Sequence, residues 1–224
     1  MEPDFFTRFA AIYALIGFVL FMVFGLTAVA IFHPPFDWIN NDYSDVGAIT
    51  DGNVSAGFLN AGLAVAGALW IPVVIACLRQ LHLGKQLRAR FFASAGFIAQ
   101  LAGRVAMILV GAFPTEPWHA VHVPMAITWM AAETAGVAFI MLDITLLQFR
   151  TRVQRGSKKD WMLAAIAVIV ACSLSWLPVL ALGLEGYAIP EFVSMLAIYA
   201  FSIAIWIKAY FHGAGFYLET RSSG

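Results

Sequence analysis

Apolar residues do not alternate with polar ones along this chain; they run in long blocks separated by short polar or acidic connections. Six blocks cover residues 9–32, 55–81, 91–113, 119–147, 161–182 and 189–211. Each is long enough for the roughly 20 residues that a helix needs to cross about 30 Å of hydrocarbon. Runs of this length without period-two alternation are helices, and lipid admits only helices or closed barrels because the backbone must satisfy itself. The pattern predicts an all-α, polytopic membrane protein, a single domain over 1–224 with six transmembrane helices.

Composition agrees. The chain has 224 residues, of which 62% are hydrophobic and 12% charged, with a mean hydropathy of +0.84; soluble domains are about 45–50% apolar and about 25% charged. Net charge is zero, so nothing points to nucleic acid. The placement of charge says more than its sum. Arg79, Lys85, Arg88 and Arg90 flank the second connection, Arg150, Arg152, Arg155, Lys158 and Lys159 crowd the fourth, and Arg8, Lys208 and Arg221 lie at or beyond the outermost segments. Connections one, three and five hold no Lys or Arg and carry Asp37, Asp42, Asp45, Asp51, Glu116, Glu185 and Glu191. Positive residues favour the cytoplasmic side, so both termini are expected there, with the acidic face outside a cell membrane crossed several times.

Ala28-Val29-Ala30 resembles a small-residue cleavage site. The apolar run before it exceeds 20 residues, and Glu2 and Asp4 offset Arg8, which favours a retained anchor over a signal peptide. Cys77 and Cys172 both fall inside predicted helices, and no Cys-x-x-Cys motif exists.

One basic residue breaks the sidedness. Arg104 lies about ten residues, or roughly 15 Å, below the outer end of the third segment. A charge at that depth costs at least a few kcal/mol unless it faces the bundle interior and is paired. In the fourth segment His119, His122, Ala126, Trp129, Glu133, Gly136, Ile140 and Asp143 follow alternating steps of three and four, which places them on one seam. Glu133 comes to nearly the depth of Arg104, predicting a buried Arg104–Glu133 pair. In the third segment Ala93, Phe97, Gln100, Arg104, Met107 and Gly111 share a similar seam, and Gly96, Gly103 and Gly111 permit close helix approach. Arg104, Glu133, Gln100 and Asp143 form the expected buried polar network.

At the outer end, His119 and His122 stand one turn apart, and His33 closes the first segment on the same side. With Asp45 they make a candidate metal set, His33, His119, His122 and Asp45, for which zinc is the expected ion. Solvated interfacial histidines are the plain alternative. Residues 33–54 form an outer loop of 22 residues, far longer than the usual two to eight between bundle helices. Its Phe36, Trp38, Tyr43, Val46 and Ile49 predict an ordered lid over the bundle mouth.

Asp42-Tyr43-Ser44-Asp45-Val46-Gly47, followed by Gly111-Ala112-Phe113-Pro114 and then His119 and His122, resembles the pattern of the bacterial and archaeal membrane family called domain of unknown function 998. The resemblance implies no activity; it singles out Ser44, Asp45, Pro114 and His122. A looser likeness, a Ser, an Asp and several His at helix ends, is to the superfamily of alkaline ceramidases, zinc-dependent lipid amidases built on seven helices with their paired histidines in a late helix. It implies that Ser44, Asp45, His119 and His122 surround a metal-activated water.

Trp70-Ile71-Pro72-Val73-Val74 echoes Trp176-Leu177-Pro178-Val179-Leu180, in segments of opposite direction, as an inverted repeat would. No phosphate loop, nucleophile elbow or dinucleotide fingerprint is present. Three functions follow from these readings: a protein that binds membrane lipid, a membrane partner or a second copy of itself; a metal-dependent lipid hydrolase; and a small proton-coupled transporter using Arg104, Glu133 and Asp143. The first is the favoured reading.

Overall fold

A computed structural model of the chain describes residues 5–50, 53–82, 87–152 and 187–212. These form five α-helices and one 3-10 helix: α1 Phe5–Ile31, the 3-10 helix Tyr43–Gly47, α2 Ser55–His82, α3 Leu87–Ala112, α4 Thr115–Arg152 and α5 Ala188–His212. No strand occurs among the described residues. The helices α1 to α4 carry the first four predicted segments and α5 the sixth. The predicted helix 161–182, with Trp176 and Pro178 of the echo, lies outside the described residues.

Among the described residues, four helices hold stretches long and apolar enough to cross a membrane: Arg8–Ile31, Ser55–Ala76, Ser94–Ala112 and Thr115–Ile140. A shorter apolar stretch, Ala188–Ala200, lies in α5. Burial follows the logic of lipid as solvent. Ile12, Leu15, Val19, Val23, Ile98 and Ile127 are exposed, while Arg104 and Glu133 rank among the largest fully buried side chains. In water this distribution would be costly on both counts; in hydrocarbon the apolar exterior is matched to its surroundings and the charges are turned inward.

Helix neighbours follow chain order. α1 packs on α2, α2 on α3 and α3 on α4, while α5 packs on α1 and touches α4 more lightly. The predicted seams are largely turned inward, that of α3 towards α4 at Gln100 and Arg104 and towards α2 at Gly111. In α4, His122, Trp129, Glu133, Gly136 and Ile140 are buried, and in α3 Gln100, Arg104, Met107 and Gly111 are buried. Small residues set the α3–α4 spacing: a Cβ at Gly96 would stand 3.2 Å from the carbonyl oxygen of Gly136, and a Cβ at Gly136 would stand 3.2 Å from that of Gly96. Two glycines facing each other let the backbones approach to a distance that side chains would forbid.

The α3–α4 corner is tight. Pro114 follows directly on Phe113, whose N–H still bonds the carbonyl of Leu109 at 2.8 Å. Glu116 (φ −113°, ψ 130°) and Trp118 (φ −103°, ψ 30°) leave helical geometry before the long regular run of α4 begins. That run starts at the position the sequence pattern predicts, 119. Pro72 and Pro124 both sit inside helices that continue past them.

The candidate site: a buried ion pair under a loop cap

At the centre of the bundle, side chains from α2, α4 and α5 converge on one guanidinium of α3. Arg104 of α3 donates from Nη2 to Oε2 of Glu133 on α4 at 2.8 Å, and the two side chains are 0% and 1% exposed. Its Nη1 donates to the hydroxyl of Tyr199 on α5 at 2.9 Å. The guanidinium carbon lies 4.5 Å from the ring centroid of Trp70 on α2 and 5.0 Å from that of Tyr199. Phe21 of α1 stacks on Tyr199 with centroids 5.1 Å apart. A desolvated cation is held here by an anion, a hydroxyl and two aromatic faces, each an interaction that strengthens as water is excluded.

The pair is not fully satisfied. Arg104 Nε and Glu133 Oε1 are buried without a hydrogen-bond partner among the described residues, as is Trp70 Nε1. A cavity of about 10 Å³, room for one water molecule, is lined by Arg104, Trp129, Met130, Glu133, Met195 and Tyr199. Of the other expected members, Gln100 is buried against α4, its Cγ in the space a Cβ at Gly136 would need. Asp143 is in α4, with its side chain outside the described set.

Above the core, residues 33–50 form a cap fixed at three places. Towards α5, the N–H of Tyr187 donates to Oδ1 of Asp42 at 2.9 Å and the N–H of Ala188 to the carbonyl of Asn41 at 3.2 Å. In the other direction the N–H of Tyr43, at the start of the 3-10 helix, donates to Oε2 of Glu191 at 3.0 Å. Trp38 and Tyr43 both pack on Phe192, with centroids 5.4 and 5.7 Å apart. Towards α2, the hydroxyl of Ser55 donates to the carbonyl of Val46 at 2.9 Å and the side-chain amide of Asn60 to that of Gly47 at 2.9 Å. Towards the α3–α4 corner, the N–H of Ile49 donates to the carbonyl of Glu116 at 3.1 Å and the hydroxyl of Thr115 to that of Ser44 at 3.3 Å. The lid expected from the aromatic content of the loop is present and tied down.

The carboxylates of the cap differ in setting. Burial pushes Asp42 up from its ordinary range, with the nearby Asp45 adding to the shift and the N–H of Tyr187 opposing it. Asp37 is held low by the N–H of Ile39 and the side chain of Asn40. Tyr43 is pushed up by burial, and then by Glu191. Asp45 accepts the N–H of Asp42 at 2.9 Å and the amide of Asn41 at 3.4 Å, so it organises the cap from within.

The histidines do other things than the metal reading expects. His33 and His119 are exposed. His122 is 4% exposed, and its Nδ1 lies 2.8 Å from the carbonyl oxygen of Phe113, one of the acceptors left over where α3 stops. Among the described residues no three His, Cys, Asp or Glu side chains come close enough together to hold a metal ion. His33, His119, His122 and Asp45 lie at the loop end of the bundle and, among the described residues, are not gathered into one group. Within the Ser44, Asp45, His119 and His122 set, Asp45 is engaged with the cap and His122 with the α3–α4 corner.

Tyr199, Glu191 and the position of Trp70 over Arg104 were not legible in the residue pattern. The signals were thin: a tyrosine midway along an apolar run, and an acid in the first turn of a span. Compared with known proteins, the chain matches no family model, no curated protein and no solved structure.

Proposed function

We propose that the chain is a multi-pass cell-membrane protein with six spans and both termini in the cytoplasm, and that it acts by binding membrane lipid at its outer face. The observation that carries this reading is the cap. A loop of this length is ordinarily mobile; here it is fixed to α5, to α2 and to the α3–α4 corner, and it still presents apolar side chains outward. Ile39 and Ile49 are 64% and 59% exposed, and Trp118, beside the cap at the α3–α4 corner, is 50% exposed. A rigid rim of branched aliphatics with an indole at the level where helices meet head groups suits the boundary between acyl chains and polar heads. The outer connections offer no Lys or Arg, so a head group with an ammonium suits the acidic rim better than one that is only anionic.

The test is native mass spectrometry of protein released from lipid nanodiscs of phosphatidylethanolamine and phosphatidylglycerol. Retained phosphatidylethanolamine that is lost in the triple variant Ile39→Ser, Ile49→Ser, Trp118→Ser supports the reading. Equal loss of all lipid from wild type and variant overturns it, and cross-linking to a second protein at the same rim would reassign the surface to a protein partner.

A further inference from the structure

We propose that Glu133 is a proton-binding site, taking up and releasing a proton at the centre of the bundle while Arg104 stays charged. The two members of the pair are supported unequally. Arg104 has the Tyr199 hydroxyl, the faces of Trp70 and Tyr199, and Glu133. Glu133 has one hydrogen bond, from Arg104 Nη2, and its Oε1 is buried with no partner among the described residues. Removing the negative charge from Glu133 therefore leaves a cation that two rings and a hydroxyl still hold; removing the positive charge from Arg104 would leave an anion with no donor among the described residues.

The cavity beside the pair has room for one water, and the described residues around it come from α3, α4 and α5. A proton delivered through that water adds to a carboxylate lone pair, and the charge of the pair rises from zero to plus one. The charged and titratable groups facing Glu133 among the described residues are Arg104 from α3 and Tyr199 from α5. From α2 comes Trp70, and from α1 Phe18 and Phe21 behind Tyr199, none of which titrates. Protonation converts the ion pair between α3 and α4 into a hydrogen bond from a cation to a neutral carboxyl, while Tyr199 keeps α5 bound to Arg104. The bundle thus has two states of its central brace that differ by one proton.

Infrared titration of the full chain in nanodiscs tests this. Wild type should show a protonated-carboxyl stretch that grows as pH falls and moves with isotopic labelling of glutamate; Glu133→Gln should lack that component, and Glu191→Gln should keep it. Tyr199→Phe supplies a check that does not rely on Glu133→Gln folding. With the hydroxyl gone, Arg104 is freer to bind the carboxylate, and the midpoint of the Glu133 component should fall. A wild-type glutamate band unchanged by both Glu133→Gln and Tyr199→Phe, or no such band wherever the protein remains folded, overturns the proposal.

Discussion

Asp42 and Glu191 exchange caps at the loop end of the bundle. Asp42 receives the N–H of Tyr187 as the chain enters α5, and Glu191 receives the N–H of Tyr43 as the chain enters the 3-10 helix. Each acid answers a helix start that belongs to the other segment, where orphan N–H groups and the positive end of the dipole favour a carboxylate. The exchange places carboxylates close together, and Asp45 stands beside Asp42.

That crowding sets a pH dependence. Because burial, then Asp45, raises the Asp42 carboxyl above its ordinary 3.8, the folded chain binds more proton than the unfolded one between that value and the folded one. Stability therefore falls as pH rises through this window. Asp42→Asn keeps an acceptor for Tyr187 and cannot ionise. In detergent, the Tm of the variant should gain on wild type as pH rises from below 3.8, and the difference should level off once Asp42 is fully ionised. Parallel Tm curves for the two proteins would count against the assignment.

Inside the bundle, the unequal support of the ion pair predicts unequal losses. At a pH where Glu133 stays ionised, Arg104→Gln leaves it without the donor it has among the described residues, a break of the kind that costs about 3–5 kcal/mol. Glu133→Gln leaves Arg104 with Tyr199 and Trp70, and costs about 1–3 kcal/mol. Chemical denaturation in mixed micelles should rank the variants in that order. The reverse order would mean that the rings do not carry the cation.

The depth match of Arg104 and Glu133 was legible because helical rise alone fixes it: two charges near the same level of adjoining spans, each on a seam of threes and fours. What periodicity does not contain is the partner from a distant helix. Tyr199 is 95 residues from Arg104, and nothing local to either marks the contact. The hydrogen-bond partner of His122 is hidden for a related reason. Its spacing from His119 suggests shared chemistry, yet the corner at Pro114 ends α3 and leaves the carbonyl of Phe113 for His122 to meet. The lid was legible from its aromatic content, whereas its fastening by Glu191 depends on how α5 sits, which no neighbouring residue reports.

Close approach of α3 and α4 can be tested at one atom. A Cβ at Gly103 would stand 2.6 Å from Oε1 of Glu133 and 3.0 Å from its Cδ, at the carboxylate that Arg104 holds in place. Gly103→Ala should cost about 1–3 kcal/mol through overpacking. Gly57→Ala in α2 is the control, since nothing lies within 4 Å of its added methyl; helix propensity should make it stabilising by about 0.5–1 kcal/mol. Equal Tm shifts of the same sign at both sites would contradict the geometry.

Tyr43 provides a prediction of opposite sense to most core substitutions. Its side chain is 4% exposed and packs on Phe192, yet its hydroxyl is buried with no hydrogen-bond partner among the described residues. A hydroxyl taken out of water without compensation costs about 1–3 kcal/mol on the scale of protein mutations. Tyr43→Phe keeps the ring and its contact with Phe192, keeps the backbone N–H that Glu191 accepts, and removes only the unsatisfied group. Tm should rise, and hydrogen exchange of residues 43–48 should slow or stay unchanged. A loss of stability would show that the hydroxyl is bonded in the membrane, by water or by lipid, and that the cap is wetter than its packing implies.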